Sequence, residues 1–142
     1  MIFDFEESVG VWFDYPGGGR VQLRVPTVED YLRIEKESNE NRPYLHEVEG
    51  KQPQILNYKI PDQAKASALL DDCTILAWED FFDKNEKPIP CNAKTKTALM
   101  RMKDSTFRDF VNEKLKALGI AEKAEKEESE KNSDPSQSGK PA

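Results

Sequence analysis

The side chains best suited to chemistry in this sequence are a few carboxylates and its single histidine. The conceivable acid–base groups are Asp71, Asp72, Asp80, Asp83 and His46. Successive residues of a helix point about 100° apart, so Asp71 and Asp72 cannot readily serve one reaction centre. His46 is flanked by Glu47 and Glu49, and this neighbourhood offers few of the ligands that a metal site needs. We therefore predict a protein that is not an enzyme and has no catalytic, cofactor or metal site.

A glycine run at residues 16–19 (PGGG) could be mistaken for a phosphate-binding loop. No Lys-Ser or Lys-Thr pair and no helix follow it directly, so a turn is the better interpretation. Alternating apolar residues flank this turn: Val9, Val11, Phe13 and Tyr15 before it, and Val21, Leu23 and Val25 after it. This pattern predicts a β-hairpin over about residues 9–25.

The predicted hairpin also supplies the candidate partner-binding residues. Trp12 and Tyr15 are expected to be exposed aromatic side chains, and Arg20 completes this set. The tip at residues 16–20 is expected to be mobile or to face a partner, without affinity for phosphate. Phe3 and Phe5 are assigned to a further strand or arm.

Composition favours a small soluble protein. The chain has 142 residues, a formal net charge of −6 and 34% charged residues. This charge argues against nonspecific nucleic-acid binding, which needs a basic patch. No apolar run approaches the roughly 20 residues of a membrane span, and the acidic N-terminus does not resemble a signal peptide. We predict a cytoplasmic protein in which Cys73 and Cys91 are free thiols.

Capping residues and apolar spacing predict four helices after the hairpin, at residues 28–38, 62–79, 93–103 and 105–118. Thr27 and Asp30 are expected to form a capping box at the start of the first helix. The later N-caps are Asp62, then Asn92 or Cys91, then Ser105. Gly119 stands where a glycine often ends a helix. Residues 43–61 are interpreted as an irregular, partly packed connector.

The predicted core joins the second and fourth helices. Its residues are Leu69, Leu76, Trp78, Phe107, Phe110, Val111 and Leu115. Residues 1–120 are therefore predicted to form one globular α+β domain that is mainly α. Residues 121–142 form an acidic and polar tail that is predicted to be disordered. Residues 121–128 could extend the last helix in places but have nothing to pack against, and residues 129–142 contain no large apolar residue.

Four short segments carry a family resemblance. They are VPTVED at residues 25–30, ILAWED at 75–80, DKNEKPIP at 83–90 and FRDFV at 107–111. Together with the preceding hairpin, they resemble the tail assembly chaperones of long-tailed, siphovirus-like bacteriophages and prophages. In that family a tryptophan often precedes a short acidic loop ending in prolines, followed by a helix with a Phe-x-x-Phe-Val-like face. Relatives often have glycine where this chain has Glu86.

The resemblance implies a function in virion assembly through protein–protein interaction. Such a protein binds the tape-measure protein, helps the tail-tube protein assemble around it in the host cytoplasm and is typically absent from the finished virion. The resemblance also implies a longer form of the same protein, made by a programmed frameshift. Ser138-Gly139-Lys140 and Glu130-Lys131-Asn132 are the places whose codons could form the slippery sequence. The alternatives are a virion structural component, such as a head–tail connector or tail-completion protein, and a small cytoplasmic enzyme.

Overall fold

The computed structural model describes Met1 and residues 10–133, which form a mixed α+β structure. The strands are β1 (Val11–Asp14), β2 (Arg20–Leu23), β3 (Asn39–His46), β4 (Gln54–Pro61) and β5 (Ile75–Glu79). The helices are α1 (Val28–Ser38), α2 (Gln63–Thr74), α3 (Ala93–Met100) and α4 (Thr106–Ser133). The strands form two sheets, one with the order β1-β2-β5 and one made of β3 and β4. The prediction of a mainly helical chain therefore underestimated the strands.

Strands β1 and β2 lie within the segment that was predicted as a hairpin, and they pair antiparallel. The pairing ends at Asp14 and Arg20, and the turn closes with the Tyr15 N–H donating to the Gly19 carbonyl at 3.0 Å. Gly17, Gly18 and Gly19 all have positive φ, which glycine adopts without a steric penalty. Val9, Phe3 and Phe5, which were also assigned to strands, lie outside the described residues.

The predicted helix at 62–79 is wrong over its last five residues. Helix α2 begins after the expected N-cap Asp62 but ends at Thr74, and residues 75–79 form strand β5 beside β2. The Thr74 carbonyl accepts a hydrogen bond from the Arg24 backbone N–H at 2.8 Å, which ties the end of the helix to the end of β2. A short apolar run suits a buried helix and a buried strand equally well, and here pairing with β2 decides for the strand.

Residues 43–61 are also not the irregular connector that was predicted. Strands β3 and β4 pair in register from Asn39 opposite Pro61 to His46 opposite Gln54. The turn between them contains Gly50 at φ +81. Pro43 lies within β3, and proline is tolerated in a strand that has an open edge.

Local capping chemistry sets the starts of the other helices. Thr27 and Asp30 form the predicted capping box of α1, and Asn92, not Cys91, forms one with Thr95 in α3. Helix α3 ends at Met100, three residues before the predicted end. At the start of α4, the Asp104 side chain accepts a hydrogen bond from the Thr106 N–H at 3.0 Å.

Ser105 stands at the predicted N-cap position, and its carbonyl accepts the first intrahelical hydrogen bond from the Asp109 N–H at 2.8 Å. Its hydroxyl donates to the Asp109 carboxylate at 2.8 Å, and the Asp104 side chain satisfies the Thr106 N–H. Helix α4 then continues through Gly119 to Ser133, where the sequence predicted an end near residue 118 and a disordered tail. The alanines, glutamates and lysines that follow Gly119 are strong helix formers, which accounts for the extension. Residues 134–142 lie outside the described residues.

The core lies between the first sheet and the start of α4. Its buried members are Val21, Leu23, Ile75, Trp78, Met100, Phe107 and Val111. A register shift between Gln22 and Leu23 lets Ile75 and Trp78 face the same side of the sheet. Leu76 lies on the other side and is 38% exposed, so its assignment to the core is wrong. The remaining predicted core residues, Phe110, Leu115 and Leu69, are partly buried, and the first two pack against the cluster.

Replacing Trp78 by alanine tests the importance of this core. Trp78 is 8% exposed, whereas Trp12 is 42% exposed and serves as a matched control. We expect Trp78→Ala to lower the free energy of unfolding by about 3–5 kcal/mol, because truncating a buried aromatic residue leaves a cavity. Trp12→Ala should cost much less. Chemical denaturation of both variants measures the difference, and equal losses would contradict this description of the core.

Asp30 makes the stability of the domain depend on pH. Its carboxylate accepts hydrogen bonds from Arg24 at 2.9 Å and from the Thr27 N–H at 2.8 Å. These bonds lower the pKa of Asp30 from 3.8 to about 2. Because the folded-state pKa is below the ordinary value, the stabilisation is present above about pH 4 and disappears as the pH falls towards 2.

We expect Asp30→Asn to lower the free energy of unfolding by about 1–2 kcal/mol at neutral pH. The difference from the wild type should shrink as the pH is lowered below 4, because the wild type then loses the same charge. Unfolding measured from neutral to acid pH checks this result, with Glu29→Gln on the exposed side of α1 as the control. A difference that stays constant at all pH values would contradict the role assigned to the ionised carboxylate.

Candidate partner-binding site

The tip of the first hairpin, the chain after β5 and the start of α4 surround an open groove of about 300 Å³. We call it the aromatic groove. Tyr15, Phe81 and Phe107 form its floor, and Phe82, Met102, Asp80 and Asp104 lie on its rim. The groove is therefore built from three segments that are distant in sequence.

The floor of the aromatic groove is a cluster of rings in edge-to-face contact. The ring centroids of Tyr15 and Phe81 are 5.4 Å apart, and those of Phe81 and Phe107 are 5.9 Å apart. Tyr15 also meets Phe110 with a centroid distance of 5.0 Å. Aromatic pairs in this arrangement contribute about 0.5–1.5 kcal/mol each beyond the area that they bury. The floor is consequently an apolar surface of rings packed against one another.

Trp78 supports this floor from beneath. Its indole N–H donates to the Ile89 carbonyl at 2.7 Å, and the Ile89 N–H donates to the Phe81 carbonyl at 2.8 Å. The Trp78 ring also lies 5.6 Å from the Phe81 ring and 6.4 Å from the Phe107 ring. One side chain thus positions the loop after β5 and the first turn of α4 at the same time.

The loop between Phe82 and Pro88 is organised by Asp83, one of the candidate acid–base residues. Its carboxylate accepts hydrogen bonds from the backbone N–H groups of Asn85 at 2.8 Å and Lys87 at 3.0 Å. Glu86 adopts a left-handed conformation with φ 60, a position that favours glycine. These contacts give Asp83 a structural role in the turn.

The rim of the aromatic groove is apolar and acidic. Phe82 is 55% exposed and Met102 is 48% exposed. The carboxylates of Asp80 and Asp104 line the groove, and no lysine or arginine is among its lining residues in the described part of the chain. Hydrogen bonds from Thr106 lower the pKa of Asp104, and burial together with the nearby Asp104 charge raises the pKa of Tyr15. The groove therefore presents negative charge beside an apolar floor.

The structure brings only one of the predicted partner-binding residues into the groove. Tyr15 forms part of the floor, whereas Trp12 pairs with Gln22 in register and so lies on the opposite face of the sheet. Arg20 is half exposed and forms an ion pair with Glu79 at 3.2 Å. The sequence did not identify Phe82, Met102 and Asp104 as site residues. They come together only in the folded chain, and their spacing in the sequence does not indicate this.

The other candidate acid–base residues are scattered. Asp71 is buried, which raises its pKa, and the Asp72 carboxylate contacts the buried Lys96 amino group at 3.0 Å. His46 is exposed at the end of β3.

Cys73 and Cys91 are free, and burial raises the pKa of both thiols.

Among the described residues, no group of three or more His, Cys, Asp or Glu side chains could hold a metal ion. Nor does a helix in Met1 and residues 10–133 have the length and apolar character needed to cross a membrane. Comparisons of the chain with protein-family models, curated proteins and solved structures find no match.

Gly19 allows the hairpin tip to approach the groove floor. It has φ +80, and a Cβ atom there would lie 2.6 Å from the Phe81 ring and 2.8 Å from the Glu79 carbonyl oxygen. Gly17 has φ +94, but a Cβ atom there would meet nothing within 4 Å. Substituting Gly17 therefore measures the cost of a positive φ alone, whereas substituting Gly19 adds the cost of crowding against Phe81.

We expect Gly19→Ala to destabilise the protein by about 1–3 kcal/mol more than Gly17→Ala, because only Gly19→Ala overpacks the contact with Phe81. Thermal or chemical denaturation of both variants measures this difference. If the two substitutions cost the same, the close approach of the tip to the groove floor is not important for stability.

Proposed function

We propose that this chain is a non-catalytic phage tail assembly chaperone that binds the tape-measure protein and promotes tail-tube assembly in the cytoplasm of the bacterial host. The observation that carries the proposal is the convergence of three of the four segments on which the family resemblance rests. Residues 75–80, 83–90 and 107–111 meet around Trp78 and build the aromatic groove. These three segments thus belong to one structural unit.

A detail of the loop after β5 also supports the proposal. The resembling family often has glycine at the position of Glu86, and Glu86 has the left-handed conformation that glycine adopts most easily. At position 86 the chain therefore differs from the family pattern in residue type, but its backbone conformation there is the one that glycine favours. This agreement is independent of the contacts around Trp78.

The aromatic groove suits a segment of a helical partner. Its apolar floor can receive one or two large side chains, which are the usual anchors of a helix bound in a groove. Asp80 and Asp104 favour lysine or arginine residues beside these anchors. We propose that a tape-measure segment with an apolar anchor and flanking basic residues binds here.

Substitutions on the exposed rim test this proposal without disturbing the core. Phe82→Ser and Met102→Ser remove apolar contacts, and Asp80→Asn removes a charge while keeping a residue type that tolerates the φ of 58 at this position. Ile120→Ser is the matched control, because Ile120 is 63% exposed and lies on α4 outside the groove lining.

Binding is measured between the purified chain and the tape-measure protein encoded by the same phage. We expect each apolar rim variant to weaken binding by about tenfold, which corresponds to about 1.4 kcal/mol. Asp80→Asn should reduce the salt dependence of binding, and Ile120→Ser should have no effect. Absence of binding by the wild type would contradict the proposal. Recovery of the protein as a stoichiometric part of purified virions would favour the structural alternative.

A further inference from the structure

The hairpin formed by β3 and β4 leaves both of its faces exposed. Tyr44, Leu45, Ile55 and Tyr58 keep between 50% and 70% of their surfaces accessible. In the described part of the chain, β3 and β4 pair only with each other. A two-stranded sheet is marginally stable in water, so pairing with further strands would stabilise it.

The two outer edges of this hairpin differ because of Pro43. Proline has no N–H, so Pro43 and the opposite Asn57 must form a pair without mutual hydrogen bonds. The backbone groups of both residues then point to the outer edges. The edge of β3 consequently lacks a donor at its centre, whereas Ile55, Asn57 and Lys59 present a complete set of donors and acceptors along the edge of β4.

Charge distinguishes the hairpin from the rest of the chain. Residues 39–61 contain three acidic residues (Glu40, Glu47, Glu49) and three basic residues (Arg42, Lys51, Lys59), so they are neutral. The complete chain has 27 acidic and 21 basic residues, so the whole net charge of −6 lies outside the hairpin. Two copies of this chain therefore repel each other less through this hairpin than through the rest of the chain.

We propose that the hairpin is a self-association surface, in which β4 of one copy pairs antiparallel with β4 of a second copy. The result is a four-stranded sheet with β3 strands at its outer edges, where Pro43 discourages further growth. The contact is isologous, so a twofold axis relates the copies and closes the assembly as a dimer at this surface. This inference does not depend on the proposed chaperone function.

The outward-pointing residues determine the register of this contact. Asn57 of each copy lies opposite Asn57 of the other, so that Ile55 lies opposite Lys59 of the second copy. Leu56 then lies opposite Tyr58 of the second copy and extends the apolar face that contains the Tyr44 and Tyr58 rings, whose centroids are 5.7 Å apart. In this register no two like charges lie opposite each other between β4 of one copy and β4 of the second copy.

Two pairs of variants test the contact by sedimentation equilibrium of the complete chain. Asn57→Pro removes the central edge donor, whereas Asn57→Thr keeps it and suits a strand. Ile55→Lys places a lysine of each copy opposite Lys59 of the other copy, so the dimer contains two pairs of like charges. The double variant Ile55→Lys/Lys59→Glu replaces this repulsion by two ion pairs between copies. Within one copy, residues 55 and 59 are four apart on the same strand and cannot meet.

We expect the wild type and Asn57→Thr to form dimers, and Asn57→Pro to be a folded monomer. Ile55→Lys should raise the dimer dissociation constant by about tenfold, and the double variant should return it to within about threefold of the wild type. The rim variant Phe82→Ser should dimerise normally, which separates this surface from the aromatic groove. A wild type that remains monomeric at the highest soluble concentration overturns the proposal. A dimer that is insensitive to Ile55→Lys and to Asn57→Pro also overturns it.

Discussion

The described structure depends most on the burial of Trp78. Its ring contacts Phe81 and Phe107, and its indole N–H bonds to the Ile89 carbonyl at 2.7 Å. A buried indole needs a hydrogen-bond partner, and here the partner is a backbone group of the loop that follows β5. The bond therefore couples three elements. It anchors the loop to strand β5, it supports the floor of the aromatic groove, and it places that loop against the start of α4.

The structure divides into a packed part and an exposed part. The first sheet, α3 and the start of α4 surround the core, whereas the β3–β4 hairpin and residues 119–128 of α4 extend from it with mostly exposed side chains. Large apolar residues remain exposed in this second part, including Tyr44, Ile55 and Ile120. The same chain thus offers two different surfaces, an acidic aromatic groove and a neutral hairpin. Their different charge suits them to different partners.

Elements with local signals were predictable from the sequence. Helix α1 has the predicted bounds because its capping box and its apolar spacing lie within a few residues of each other. Strand β5 was mistaken for helix because its pairing with β2 is a long-range contact that leaves no local mark. Strands β3 and β4 are mostly exposed, so they lacked the alternation of buried and exposed residues that identifies a strand. Among the residues of the groove, the sequence identified Tyr15 as a candidate partner-binding residue. Phe82, Met102 and Asp104 join it through contacts between distant parts of the chain, which the sequence alone does not indicate.

The most direct test of the central claim is backbone amide exchange of the chain with and without the tape-measure protein. Exchange reports local protection residue by residue, so it locates a binding surface without any substitution. If the aromatic groove receives the tape-measure protein, protection should increase at residues 15–19, 80–82 and 102–107. The β3–β4 hairpin should not change in the same experiment. Protection confined to the hairpin or to the opposite face of the first sheet, with the groove unchanged, would contradict the account.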